Sequence, residues 1–174
     1  MKVVSDSGPL IALGKLGIVE LPFRLYRQIT IPFAVYIEVV TRGHDLGAPD
    51  AKQTELAIAR QQIVVVNIEE REMPESVRIP ALARADQQTL HLGLREKADW
   101  VLIDDLFARQ TAKQLGLKVK GTLGVILDAF LKHVLSGNDC DILLQAILRD
   151  DEIWIDENLV RQVRAEIQKE PRGG

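Results

Sequence analysis

The chain has 174 residues, 47% of them apolar and 27% charged, and a formal net charge of −3. These values suit one compact domain with a buried core and exclude a disordered tail. They also exclude a global basic field, so any nucleic-acid binding must come from a local patch.

Read in chain order, strand and helix alternate. Lys2–Ser5 reads as a buried strand ending at Asp6. Ser7-Gly8-Pro9 turns the chain into a helix at Leu10–Leu13 that Gly14 and Gly17 interrupt, and a second helix is predicted over Ile18–Tyr26. Ile29–Ile31 is the second strand. Pro32 suits a helix start, where its missing N–H is harmless, so Phe33–Thr41 is predicted as a helix closed near Gly43. Gly43–Asp50 reads as polar loop, Ala51–Arg60 as helix and Ile63–Val66 as the third strand. Glu69–Pro80 is charged and reads as surface loop with a short helix. Ala81–Lys97 is helix, Trp100–Ile103 the fourth strand, Leu106–Leu115 helix and Leu117–Val119 a short fifth strand. Helices then run from Gly121-Thr122 to about Leu135, over Asp139–Leu148 and over Glu157–Lys169. The expected architecture is α/β: one domain over 1–174, a parallel sheet of about five strands covered on both faces, and a C-terminal helical extension from about residue 139.

The working edge of such a sheet is the carboxyl end of its strands. Asp6 and Asp104 fall just there. Glu38 sits on a helix whose Phe33, Val35, Ile37, Val39 and Val40 predict burial nearly all round. Asp86 lies in the first turns of its helix and shares a face with Leu90 and Gly93. Asp104-Asp105 directly follows an apolar strand; one can cap the next helix, which leaves the other surplus to folding. Each acid also has a plainer role. Asp6 can form a cap or an Asx-turn, Glu38 can pair with Arg42, Asp86 can answer the helix dipole, and Asp105 can pair with Arg109. Converging at one edge, the acids would form an oxygen-rich pocket for a hard divalent cation and point to metal-assisted phosphodiester hydrolysis.

A basic run follows: Arg109, Lys113, Lys118 and Lys120, with no acid from Leu106 to Leu127. It is either a solvated face or a set of phosphate contacts beside the acids. The Gly121-Thr122-Leu123-Gly124 turn is a weak further anion site. There is no Walker loop, and His44, His91 and His133 do not make a zinc pattern. The single cysteine, Cys140, excludes an internal disulfide and suits a reducing cytoplasm. The opening residues turn polar too soon for a signal peptide, and no apolar run approaches the roughly 20 residues of a membrane span.

Ser5-Asp6-Ser7-Gly8-Pro9-Leu10-Ile11, Val35–Val40 around Glu38, Ala85-Asp86 with Leu90, and Leu102-Ile103-Asp104-Asp105 resemble the successive acidic motifs of the PIN domain. Leu102–Arg109 and Gly121–Gly124 are similar to a prokaryotic PIN subgroup with Leu-Ile-Asp-Asp-x-x-Ala-Arg followed by Gly-Thr-Leu-Gly. The resemblance runs from Asp6 to about Leu127. It implies a Rossmann-like three-layer α/β/α fold and a magnesium- or manganese-dependent ribonuclease. For many members it also implies a toxin role opposed by a small antitoxin protein, and it favours a homodimer. It makes Asp6, Glu38, Asp86 and Asp104 or Asp105 the metal-binding acids. Arg109, Lys113, Lys118, Lys120 and Thr122 would then be the contacts to RNA. Many relatives have Gly-Glu where this chain has Ala85-Asp86, whose carboxylate reaches one methylene less far. Two other classes remain open on the residues: a catalytically silent binding module on the same fold, and a phosphoacceptor receiver domain. The latter would want the acidic pair after strand one, whereas here it follows strand four.

Overall fold

The computed structural model describes residues 1–169. The predicted domain end at 174 lies outside the described residues. Five strands form one sheet: β1 (Val3–Ser5), β2 (Ile29–Pro32), β3 (Ile63–Val66), β4 (Trp100–Leu102) and β5 (Val119–Lys120). All neighbours run parallel in the order β3-β2-β1-β4-β5, with Val4 beside Thr30, Ser5 beside Leu102 and Val101 beside Val119.

The sheet is buried on both faces because its strands alternate between two cores. Val3 and Leu102 join Leu10, Leu13 and Ile126 in one core. Val4, Val101 and Ile103 join Leu90, Leu92 and Ala108 in the other. The first core is closed by α1 (Ser7–Lys15), α2 (Leu21–Tyr26), α3 (Phe33–Tyr36), α5 (Pro49–Ala59), α8 (Thr122–Leu131), α9 (Gly137–Arg149) and α10 (Glu157–Lys169). The second is closed by α6 (Arg84–Glu96) and α7 (Leu106–Gln114). The result is the expected three-layer α/β/α arrangement. A side-chain carbon at Gly93 would lie 2.8 Å from Val101. The absence of one lets the α6 backbone rest directly on β4.

The strand order reverses at β1. The chain works outward through β2 and β3 on one side, then crosses back to β4 and β5 on the other. The crevice outside the carboxyl ends of β1 and β4 is therefore the topological switch point, where ligands bind in open α/β sheets.

Several elements depart from the sequence reading. The segment predicted as one helix over Phe33–Thr41 is α3 followed by a π-helical stretch at Ile37–Thr41. That stretch runs on into α4 (Arg42–Asp45), inside the predicted loop. The helix is not buried all round, because Phe33 is 45% exposed and stacks on Tyr36 with ring centroids 5.5 Å apart. Other bounds shift as well: α1 already starts at Ser7, α2 only at Leu21, α5 already at Pro49, α6 only at Arg84 and α9 already at Gly137, while α8 stops at Leu131 and the fifth strand is Val119–Lys120 in place of Leu117–Val119. The charged Glu69–Pro80 stretch holds two short 3-10 turns, Glu70–Glu72 and Glu75–Val77. No described helix is long and apolar enough to cross a membrane.

Candidate active site

Asp6 leaves the end of β1 with its backbone N–H bonded to the Leu102 carbonyl of β4 at 2.9 Å. That bond holds the carboxylate over the switch point, where it is only 6% exposed. It makes no capping bond to α1. Among the described residues its one side-chain partner is the buried Thr89 hydroxyl, which donates to Oδ1 at 3.4 Å. Burial, then repulsion from Asp86, then repulsion from Glu38 push the Asp6 carboxyl up to about 7, against the pull of the Ser7 and Gly8 N–H groups. A carboxylate so placed is short of positive charge.

Asp86 stands in the first turn of α6, and its Oδ2 accepts the Ala83 N–H at 3.2 Å. It answers the open helix end, as the plainer reading had it, and it also faces the other acids. Burial raises its proton affinity first, repulsion from Asp105 second and from Glu38 last, while the Ala83 N–H lowers it. Glu38 lies in the first turn of the π-helical stretch, half-buried, with the Arg42 guanidinium 3.9 Å away. That pair exists alongside the coupling to Asp6 and Asp86, so the two readings of Glu38 are not exclusive. Buried Gln88 braces the neighbourhood. Its Oε1 accepts the Ala34 N–H at 3.4 Å and its Nε2 donates to the Ile68 carbonyl at 3.3 Å, which ties α3 to α6.

The acidic pair divides its labour. Asp105 caps α7, with Oδ1 accepting the Ala108 N–H at 2.7 Å, and it is near enough to Asp86 to repel it. Asp104 turns the other way. Its Oδ1 accepts the Thr122 N–H at 2.7 Å and its Oδ2 the Thr122 hydroxyl at 2.6 Å. Burial raises its proton affinity, opposed by Thr122 and by the Arg109 guanidinium. The predicted Arg109–Asp105 pair is thus replaced by Arg109 beside Asp104. Asp104 also lies beside Asp6 across Gly8: a side-chain carbon at Gly8 would be 3.9 Å from Asp104 Oδ2 and 4.0 Å from Asp6 Oδ2.

Gly121 is the tightest point of the site. A side-chain carbon there would fall 2.5 Å from Asp104 Oδ1 and 2.6 Å from Arg109 Nη1. Gly121→Ala is therefore expected to expel one of those groups, breaking the Asp104–Thr122 pair and costing about 1–3 kcal/mol. Gly8→Ala should leave stability within about 1 kcal/mol, because its nearest contact would be an ordinary 3.6 Å. Thermal melts of the two variants side by side check this; equal melting temperatures would refute it.

The basic residues separate. Lys120 is not a free cation: its ammonium pairs with Asp128 Oδ2 and sits 4.0 Å from the centre of the Trp100 ring. The Tyr26 hydroxyl donates to the same oxygen of Asp128 at 2.8 Å. Burial and Asp128 hold that phenol protonated well above its ordinary range. Thr122 is fully buried, with its hydroxyl and its N–H both given to Asp104, so it orients an acid and offers no surface to a strand of RNA. Lys113 and Lys118 are exposed. However, α7 starts at the acids and runs away from them. Lys113, in its last turn, lies eight residues beyond Asp105, or about 12 Å of helical rise. Of the run, Arg109 alone stands against the acids.

Thr89 and Gln88 were missed in the sequence. The signal for Thr89 was present, since it follows Asp86 by three residues and shares its helix face. Gln88 carried no such signal, because what it braces is a neighbouring helix.

The donors are all hard oxygens, and the proton affinities of Asp6 and Asp86 mark negative charge that no basic group among the described residues neutralises. In chemistry, the set fits an oxygen-seeking divalent cation. Among the described residues, no three His, Cys, Asp or Glu side chains stand close enough as placed to hold one ion between them.

The family model DUF3368, described as a PIN domain, matches residues 2–169. No curated protein matches the chain. Among solved structures, the chain is similar to a domain of a functionally unknown protein from Methanocaldococcus jannaschii DSM 2661. Identity is 21%, coverage is 69% of this chain and 89% of that one, and the TM-score is 0.45. PIN domains are in general nucleases and typically use divalent metal ions. With a family match over nearly its whole length, this chain belongs to the PIN-domain family.

Proposed function

We propose that this PIN domain is an endoribonuclease that hydrolyses RNA phosphodiester bonds with Mg²⁺ or Mn²⁺ held by Asp6, Glu38, Asp86 and Asp105, and with Asp104 as a fifth carboxylate oriented by Thr122. The observation that carries the reading is the gathering of Asp6, Glu38, Asp86 and Asp105 at the switch point of the sheet, where burial and mutual repulsion raise the proton affinities of Asp6 and Asp86. Folding alone gains nothing from gathering like charges there. When bound, the cation supplies an activated water nucleophile and neutralises charge developing on the phosphate. The chain's own residues do the rest. Thr122 fixes the direction of Asp104, and the capping bond to Ala108 fixes Asp105. The forked donors of Arg109, beside Asp104, bind a phosphate oxygen. The buried walls around Asp6 limit water and strengthen each of these interactions.

A second reading has one observation in its favour. No three of the donors are close enough as placed to hold an ion, which suits a catalytically silent binding module on the same fold. Incubating the purified protein with end-labelled single-stranded RNA separates the two. The ribonuclease should cut in millimolar Mg²⁺ or Mn²⁺ and stop in chelator. RNA left intact under every metal, by a protein that still binds it, would establish the silent module.

A toxin role with a small antitoxin as partner, and a homodimer, rest on the family resemblance. The apolar stripe of α10 turns Val160 and Ile167 into the chain's own core, leaving Leu159 at the surface for a second copy. A cytoplasmic setting suits the free, buried Cys140.

A further inference from the structure

The segment joining α9 to α10 folds back toward the acidic edge. There, together with Ile11 and Ala12 of α1 and with Asp104 and Asp105, it lines a cleft of about 300 Å³. The segment is firmly pinned. Ile153 is buried and its N–H bonds the Asp150 carbonyl at 3.1 Å. Glu152 Oε2 receives the Lys15 ammonium at 2.6 Å, and Asp156 Oδ1 caps α10 through the Leu159 N–H at 3.0 Å. Between these anchors Trp154 is left 90% exposed. Folding does not explain a large apolar ring held in water, since almost none of its surface is buried. Its place in the cleft does.

We propose that Trp154 is a stacking platform for one base of a single-stranded nucleic acid whose phosphate lies at the carboxylates. This deepens the ribonuclease reading and rests on it. Charge chooses the occupant and its orientation. Glu152 makes the Trp154 end of the cleft unfavourable for a phosphate, whereas a base is neutral and flat and fits against apolar walls. The guanidinium of Arg109 stands on the other side of Asp104, toward Gly121. A strand crossing the site thus places a phosphate toward Arg109 and turns the attached base toward Trp154. The cleft has room for a base with its sugar; a partner helix, about 10 Å across, is too wide for it. Stacking on an indole discriminates little between bases, so the contribution is to affinity and positioning more than to sequence choice.

The test uses the full chain, Mg²⁺, and a fluorescent 2′-O-methyl oligoribonucleotide whose intactness through each titration is checked by gel. Trp154→Ala should weaken binding by about 5- to 150-fold, the range measured for loss of one stacked base. Trp154→Phe should keep most of the affinity, and neither variant should move the melting temperature. An oligonucleotide carrying one abasic position, moved along the strand, should at one place weaken the wild type and leave Trp154→Ala unaffected. Equal affinity of wild type and Trp154→Ala would overturn the proposal, as would abasic losses of the same size in both. If Trp154→Ala cuts RNA with unchanged kcat and KM, the platform is refuted and the ribonuclease stands. If the abasic pattern appears in a protein that cuts nothing, the ribonuclease is refuted and the platform stands. A protein partner that loses affinity for Trp154→Ala while the oligonucleotide does not would refute the nucleic-acid assignment.

Discussion

Asp6→Asn is expected to abolish most RNA cleavage while making the metal-free protein more stable. The amide keeps the shape of the side chain and can still accept from Thr89, but it brings no charge to Asp86 and Glu38. Loss of a charged donor should cost at least about 100-fold in activity, the upper end of what removing a supporting group costs at a metal site. The stability gain depends on pH. The Asp6 carboxyl sits near 7 in the fold, against an ordinary value of 3.8. Between those limits the folded state holds a proton that the unfolded chain has released, so stability falls as pH rises through that window. Below it both states are protonated and Asp6 costs nothing; above about 7 the penalty is complete. Asp86, also raised, acts in the same direction, whereas Asp139 and Asp141, which are lowered, act only below the ordinary carboxylate range. The wild type should lose stability from pH 5 to pH 8 in chelator, and Asp6→Asn should lose less. At pH 8 the variant should be ahead by about 2–4 kcal/mol. Millimolar Mn²⁺ should stabilise the wild type and spare the variant. Urea titrations at the two pH values check this, and a variant less stable than the wild type at pH 8 would make Asp6 a structural cap.

Lys120→Gln is expected to destabilise the fold strongly, although a reader of the sequence would set it among solvated lysines. The Lys120 and Asp128 side chains are 17% and 19% exposed, and the ammonium also lies over the Trp100 ring. Removing it leaves the Asp128 carboxylate largely out of water with the Tyr26 hydroxyl as its remaining partner. The cost of breaking so enclosed a pair is about 2–4 kcal/mol, or a fall of about 5–15 °C in melting temperature for a chain of this size. Lys113→Gln and Lys118→Gln should stay within about 0.5 kcal/mol of the wild type. The double variant Lys120→Gln/Asp128→Asn should recover part of the loss, since no unpaired charge remains. Three lysine variants melting alike would show that the pair contributes nothing.

The sheet was legible because the five apolar runs are short, β-branched and separated by helix-length segments. The acids were legible because Asp6 and Asp104 come directly after such runs. What escaped has physical causes. A π-helical stretch and an α-helix present nearly the same apolar periodicity over five residues, so Ile37–Thr41 could not be distinguished. Gly43 and the loop-like composition around it concealed α4, which is held by packing rather than by propensity. Lys120 looked like part of a basic run because its partner lies eight residues on, inside an apolar helix. Glu38 and Asp86 offered a choice between a local contact and a place beside the other acids, when each has both. Trp154 gave no signal: one aromatic among acids reads as loop until the fold carries it to the edge of the sheet.

The topology also sets a timetable. Asp6 is made well before its partners: its backbone bond needs Leu102, and the orientation of Asp104 needs Thr122. At ~5–20 residues per second, ribosomal synthesis separates Asp6 from Thr122 by on the order of 10 s. Once Val66 has been made, the nascent chain can pair β1 with β2 and β2 with β3, yet it lacks half of the pocket. The wall carrying Trp154 arrives later still. A chain interrupted between β3 and Thr122 is therefore a partly paired sheet without a finished site.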